Sequence, residues 1–267
     1  MEQYRVAPGS KVKLSKWDPD DKSLCEEGKL AGIERFAALK QELYDLQVVL
    51  FAEQKHRVIV VLQGMDTSGK DGTIRNVFGG LDPQGIQIAT FGKPSKEELS
   101  RDYLWRIHQH TPANGSISIF NRSHYEDVLA VRVRELQPKS VWSKRFRHSN
   151  EFERMLSDEG TTTLKIFLNI SNEEQKERLI SRQTNPHKQW KLIPEDVEDR
   201  KLWPDYEAAY EDTIEKTSTD HAPWHIIPAN RKWYRNLVVA KLIIEELKKF
   251  NSQFPKPAHD VSQIKIV

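Results

Sequence analysis

The stretch Val58-Ile59-Val60-Val61-Leu62-Gln63-Gly64-Met65-Asp66-Thr67-Ser68-Gly69-Lys70-Asp71-Gly72-Thr73-Ile74 decides how the rest of the chain is read. Val58 to Leu62 are all apolar and nearly all β-branched, which suits a strand buried on both faces of a parallel sheet. Gly64, Gly69 and Lys70 then fall at the Gly-x-x-x-x-Gly-Lys spacing of a phosphate-binding loop. Glycines let successive N–H groups turn inward, the next helix opens with its positive dipole end at the phosphate, and Lys70 adds a full charge. Thr67, Ser68, Asp71 and Gly72 share that loop and are read as phosphate-binding with it. The hydroxyl residue that usually follows the lysine and helps hold Mg²⁺ is replaced by Asp71. Asp66, inside the loop, is the substitute metal ligand.

Alternating strands and helices surround this stretch. Lys29 to about Gln54 has helical spacing, and residues 1–28 read as a polar extended arm over the surface. The loop helix reaches about Phe78. Residues 86–91 form a second strand, and Ser95 with Glu98 makes a capping box for a helix to about Gln109. Residues 116–120 form a third strand. A helical region follows from about Val128 to Leu156, interrupted near Pro138. Residues 164–170 form a fourth strand, with a helix after it to about Gln183. Residues 184–203 are mixed, basic and aromatic. Residues 204–216 are helical, 223–227 form a short fifth strand, and about 233–250 form a last helix before a Pro-containing tail, 251–267. This order predicts an α/β fold, a parallel sheet covered on both faces, in one domain. Ligands then belong at the carboxyl ends of the strands. That gathers residues 64–70, 91–93 and 121–127 on one edge.

Composition narrows the function classes. The 267 residues carry 41 Lys and Arg against 39 Asp and Glu, a net charge of +2, so no broad nucleic-acid face is required. The single cysteine, Cys25, excludes an intrachain disulfide framework and fits a reducing cytoplasm. No run approaches a membrane span, and we expect neither a membrane nor a nucleic acid as partner. The long first helix and exposed aromatics lead us to expect a homo-oligomer, a dimer or a tetramer.

The third strand ends at Asn121, where such proteins usually place a magnesium carboxylate. Glu126 and Asp127 follow closely and offer to fill that deficit, so Asp66 and Glu126 are the expected metal ligands, for Mg²⁺ or alternatively Mn²⁺. Arg122 is placed to hold a phosphoryl group bidentately; a surface pair with Glu126 or Asp127 is the competing reading. Of Arg132 and Arg134, two residues apart on a helix, only one can face the site, and Arg132 is taken as the binding residue. The basic segment carrying Arg178, Arg182 and Lys188 stands where a mobile lid closes over a transferring phosphoryl. Arg75 and Lys93 join the phosphate-binding set, and Phe91 is the candidate adenine stacker. Other basic residues, Lys96, Arg101, Arg106, Lys139, Lys144, Arg145, Arg147 and His148, are scattered around the same edge and interleave with Tyr103, Trp105, Trp142 and Phe146, a pattern a nucleic-acid surface would also show. They suit a narrow basic groove for a long anionic polymer.

Residues 64–72, Asn121-Arg122-Ser123-His124-Tyr125-Glu126-Asp127-Val128 and Lys188-Gln189-Trp190-Lys191 together resemble the family-2 polyphosphate kinases over residues of about 28 to 250. The resemblance implies a P-loop kinase-like three-layer sandwich, with a five-stranded parallel sheet and a helical lid at 178–203. It also implies Mg²⁺-dependent, reversible transfer of a phosphoryl group from inorganic polyphosphate to a nucleotide. By motif position it makes Asp66 and Lys70 catalytic, Arg122 a phosphate ligand and Arg178 a lid residue. Many members have Asp-Arg-Ser-Trp-Tyr-Asn at the second motif; Asn121, His124 and Glu126 look like the subgroup that accepts both AMP and ADP. An ATP-dependent nucleoside or nucleotide kinase, and a nucleic-acid-binding P-loop protein, share the loop; a donor test separates them.

Overall fold

The computed structural model describes residues 1–266. Helix α1 (Lys29–Glu53) ends where Gln54 turns left-handed, and the chain enters β1 (Arg57–Gln63). β1 is buried from Val58 onward, as its apolar run predicts. It pairs in parallel with β3 (Ile117–Asn121) on one side and β4 (Thr161–Asn169) on the other. β2 (Ile86–Thr90) flanks β3, and β5 (Trp224–Pro228) flanks β4, giving the order β2-β3-β1-β4-β5. Chain order therefore reverses around β1. The crevice at such a reversal is where open α/β sheets bind ligands, and the glycine-rich loop leaves β1 there.

The fold class matches expectation, while several elements differ in detail. The helix after the loop is a short α2 (Lys70–Thr73) that widens into a π-helical turn, Ile74–Phe78. The single helix expected up to Gln109 is two turns, α3 (Lys96–Leu99) and α4 (Trp105–His108). The capping box at Ser95 and Glu98 is present. Asp102 breaks the helix: its carboxylate accepts from the N–H groups of Leu104 and Trp105 and starts a new turn. The region around Pro138 divides into α5 (Glu126–Val133), α6 (Lys139–Trp142) and α7 (Arg145–Asp158). β4 begins three residues early because Thr161, Thr162 and Thr163 pair with Arg57, Val58 and Ile59. After α8 (Asn172–Thr184), the mixed segment contains α9 (Pro194–Lys201), with proline in its first turn. Two long helices, α10 (Trp203–Thr217) and α11 (Lys232–Lys249), complete the layers.

The N-terminal arm is embedded rather than laid over the surface. Tyr4, Val6, Val12, Leu14 and Cys25 join the buried core. Val6 N–H donates to Trp224 O, and Arg5 bridges His225, so the arm covers the free edge of β5. Its few apolar residues are spread too thinly for a periodic signal, yet each finds a neighbour on the sheet edge.

Candidate active site

The loop leaving β1 is held from below by arginines. Arg178, on α8, donates to the carbonyls of Thr67 (2.8 Å), Ser68 (2.9 Å), Ala229 (2.6 Å) and Asn230 (2.9 Å), and to Glu174 (2.6 Å). Arg235, on α11, lies directly under Gly69: a Cβ there would stand 1.9 Å from its guanidinium nitrogen. Gly69 also has φ +104°, so both space and backbone require glycine. Thr67 has φ 64°, a conformation costly for a β-branched residue and frequent at functional sites. The hydroxyls of Thr67 and Ser68 are buried without a partner among the described residues.

Lys70 is buried and arches over the loop, donating to Gly64 O (2.8 Å) and Met65 O (3.2 Å). Burial, with Arg122 adding to it, lowers its pKa to about 8 against the pull of Asp66, Glu126 and Asp71. Arg122 sits at the end of β3 with φ 64° and donates to Asp66 Oδ1 at 2.9 Å. Its other terminal nitrogen is 3.9 Å from Glu126. Arg122 thus joins the loop, through Asp66, to Glu126 at the start of the following helix. Glu126, then Asp66, raise the Arg122 pKa against the cost of burial. Burial raises the Asp66 carboxyl, but Lys70, Arg122, Arg182 and Arg134 more than offset it and hold it below the usual range. Glu126 moves the other way: burial keeps its pKa raised despite Arg122 and Lys70. Turned to satisfy both ends of its amide, Gln63 donates to Glu126 Oε1 at 3.0 Å.

Asp71, in the place of the usual hydroxyl residue, links three elements. It accepts from Asn121 at 2.9 Å and from Lys191 at 3.2 Å. Lys191 lies in the segment expected to form the lid. Arg182 donates from α8 to Lys191 O and to Asp196, both at 3.2 Å, while Lys188 is exposed and bonded to Ser181.

Several sequence expectations change. Arg178 spends its guanidinium on loop carbonyls, so it clamps the loop rather than reaching the site from a lid. Phe91 is 4% exposed and packs edge-on to Phe120 and His110, leaving no face for a base. Asp127 is tied to Arg106 (3.1 Å) and Arg145 (3.7 Å) beneath the surface, not presented to phosphate. Arg132 bonds Asp212 at 2.6 Å and points away. Arg134 is the one whose charge bears on Asp66. Helical periodicity was the available signal: Arg134 is eight residues from Glu126 and shares its face, whereas Arg132 is six away. Arg75 and Lys93 are exposed, with no ionic partner among the described residues. Tyr206 and Tyr210 of α10, Arg235 and Gln63 carried no motif signal; they reach the site through tertiary packing. His124, part of the second motif, is 2% exposed beside Glu153, Lys165 and Tyr125.

Among the described residues, no group of three His, Cys, Asp or Glu side chains forms a metal cluster. Asp66 and Glu126 are an oxygen-only pair, which fits a hard divalent cation that takes its remaining ligands from phosphate and water.

The Polyphosphate kinase 2 (PPK2) family model matches residues 28–255. An AMP/ADP-polyphosphate phosphotransferase of Meiothermus ruber is 54% identical over 257 residues, 96% of each chain. An ADP-polyphosphate phosphotransferase of Rhodopseudomonas palustris is 39% identical, covering 95% of this chain and 92% of its own length. The crystal structure of Polyphosphate Kinase 2 from Arthrobacter aurescens TC1 superposes with a TM-score of 0.94 at 42% identity, over 98% of this chain and 93% of that one. With the loop, the second motif and the Lys191 segment meeting at Asp71, and likeness of this extent, the chain belongs to the polyphosphate kinase 2 family.

Proposed function

We propose that this protein transfers the terminal phosphoryl group of inorganic polyphosphate to AMP and to ADP, giving ADP and ATP. One observation carries the reading. Arg122 pairs with Asp66 across the loop beside Lys70, in a chain 54% identical along 96% of its length to an AMP/ADP-polyphosphate phosphotransferase.

The acceptor's phosphate lies against Arg122 and the donor's end lies over the loop. An acceptor phosphate oxygen forms the new bond to phosphorus while the bond to the next phosphate of the chain breaks. The shortened chain leaves with the electron pair as a phosphate anion. The attacking oxygen is already anionic, so no strong base is needed. Lys70 and Arg122, with Arg182 and Arg134 behind them, balance the charge spread over the transferring group. The unpartnered Thr67 and Ser68 hydroxyls donate to donor oxygens, and Asp66 orients Arg122. Asp66 and Glu126 would hold Mg²⁺, which when bound neutralises phosphate oxygens. A phosphoanhydride is broken and another made, so the reaction is reversible. Residues 178–203 act as the lid of one kinase domain, with Arg178 anchoring its base to the loop, and the protein works in the cytoplasm as a homo-oligomer.

The test uses the purified protein with Mg²⁺, long-chain polyphosphate and AMP, resolving nucleotides over time. ADP followed by ATP is expected. Transfer to ADP alone would remove AMP from the reading, and transfer only from ATP would overturn the donor. Lys70→Ala and Arg122→Ala should each lose roughly three to five decades of turnover with the thermal midpoint little changed. Near-normal turnover in either variant would refute its role.

A further inference from the structure

Arg235 is a buried charge that the protein does not neutralise. It stands on α11 with 2% of its surface exposed. Its Nε and one terminal nitrogen donate to Asn236 Oδ1, at 3.2 and 2.8 Å, and the other terminal nitrogen reaches Ser68 O at 3.5 Å. Each of these acceptors is uncharged. Among the described residues, no carboxylate pairs with Arg235. The charge bearing on it is that of Arg178, a second cation, which adds to the cost of burial. Lys232 of α11 lies in the same field: burial first, then Arg178, Lys188 and Arg235, lower its pKa, with Glu174 opposing. Cations buried to a similar depth elsewhere have an anion in contact, Lys165 with Glu153 at 2.6 Å and Arg106 with Asp127 at 3.1 Å. An ionised group taken out of water without a counter-charge is costly. An unpaired Arg235 therefore calls for an anion that arrives from outside the chain.

Its position says where that anion sits. The guanidinium lies under Gly69 and Gly72, where a Cβ on Gly72 would stand 3.3 Å from one terminal nitrogen and a Cβ on Gly69 would collide with the other. The two glycines leave backbone, and no side chain of their own, between the guanidinium and the concave side of the loop. The donor's end lies on that side. A charge acts strongly through so thin a layer when water is excluded.

We propose that Arg235 is a positioning residue for the donor: its unpaired charge draws the terminal phosphates of polyphosphate onto the loop, and the bound donor is the counter-anion that the fold leaves out. The inference rests on the polyphosphate reading of the crevice. It gives Arg235 two opposed effects that a purely structural clamp does not have. The charge weakens the free protein and strengthens its hold on the donor, so an apolar side chain at this position relieves the first and loses the second.

The experiment compares the wild type with Arg235→Met, which is apolar and unbranched, and Arg235→Lys, which keeps the charge. Urea midpoints are read with and without long-chain polyphosphate, nucleotide absent, and steady-state constants are measured for donor and acceptor. Arg235→Met should unfold at the same urea concentration as the wild type or a higher one, and polyphosphate should raise its midpoint less. Its KM for polyphosphate should rise roughly tenfold or more, while KM for AMP or ADP stays within about twofold. Arg235→Lys should recover most of the donor affinity. A donor KM unchanged in Arg235→Met would leave the arginine a clamp only and overturn the proposal. So would a rise in KM shared equally by donor and acceptor, or an Arg235→Lys variant as weak toward polyphosphate as Arg235→Met. A wild type that neither gains stability from polyphosphate nor transfers from it would instead sink the underlying function, and this role with it.

Discussion

Lys70 is held in the crevice against an electrostatic cost. Its ammonium is buried beside Arg122, and the carboxylates of Asp66, Glu126 and Asp71 only partly compensate, so its pKa falls to about 8 from 10.5. The folded state therefore binds fewer protons than the unfolded state between those values, and stability rises with pH across that window. The rise is up to about 3 kcal/mol, and it should vanish in Lys70→Met when urea midpoints are followed against pH. Activity runs the opposite way. We expect kcat/KM to decline with unit slope above about pH 8, because the free enzyme loses the charge that meets the donor. A pH profile flat to the point of unfolding would show that Lys70 stays protonated and that the loop is less dry than its burial implies. Asp66 and Glu126 complete the pattern: burial acts on both, but four cations hold Asp66 ionised while Glu126 stays shifted upward.

The loop and helices α2, α8 and α11 form one mechanical element. The arginines Arg178 and Arg235 occupy the space beneath the loop and set its shape. Burial first, then Arg178, lowers the Arg235 pKa to about 10, so this clamp is held against an electrostatic cost. Gly69→Ala places a methyl group 1.9 Å from the Arg235 guanidinium and forces φ +104° on a residue with a Cβ. We expect a loss of about 2–4 kcal/mol by chemical denaturation. Arg235→Ala in the same chain should restore the part due to the collision and leave the part due to φ. Strictly additive losses in that double-mutant cycle would show that the guanidinium moves aside without cost. The second motif is supported in the same manner. His124 and Tyr125 sit over the buried Glu153–Lys165 pair, separated by 2.6 Å. His124 is buried, so its side chain supports the second motif from beneath rather than lining the crevice.

Across the whole molecule, the N-terminal arm closes an edge that the sheet would otherwise expose. Met1 pairs with Glu245, Tyr4 bonds Tyr234 at 2.6 Å, and Ser218 donates to Val6 O at 2.7 Å. Removing residues 1–14 uncovers β5 and the core beneath it. We expect the thermal midpoint to fall by on the order of 10 °C, with the shortened chain more prone to aggregate through the β5 edge. An unchanged midpoint would mean that the arm is only draped, as its polar composition suggests. Among the described residues, no helix is long and apolar enough to cross a membrane.

The contrast between loop and arm marks what was legible before the structure. By itself the sequence determined the α/β sheet, the loop between Gly64 and Lys70, the motif at Asn121 to Asp127, and the family these imply. Each rests on local chemistry, a run of β-branched residues, a fixed glycine spacing or a strand-end motif, and local chemistry is written in adjacent letters. Tertiary structure alone decided which charged side chains face the crevice. Arg134 and not Arg132 bears on Asp66, because helix phase selects between them. Arg178 clamps the loop from below, because α8, which follows β4, carries it under the Thr67 and Ser68 carbonyls. Phe91 and Asp127 are buried, because α4 and α7 fold over the end of β3. Asp71 meets Asn121 and Lys191 only once residues 120 positions apart are brought together. Charge pairs act over a few ångströms in space and carry no periodicity along the chain, so their partners are fixed by packing rather than by sequence neighbours.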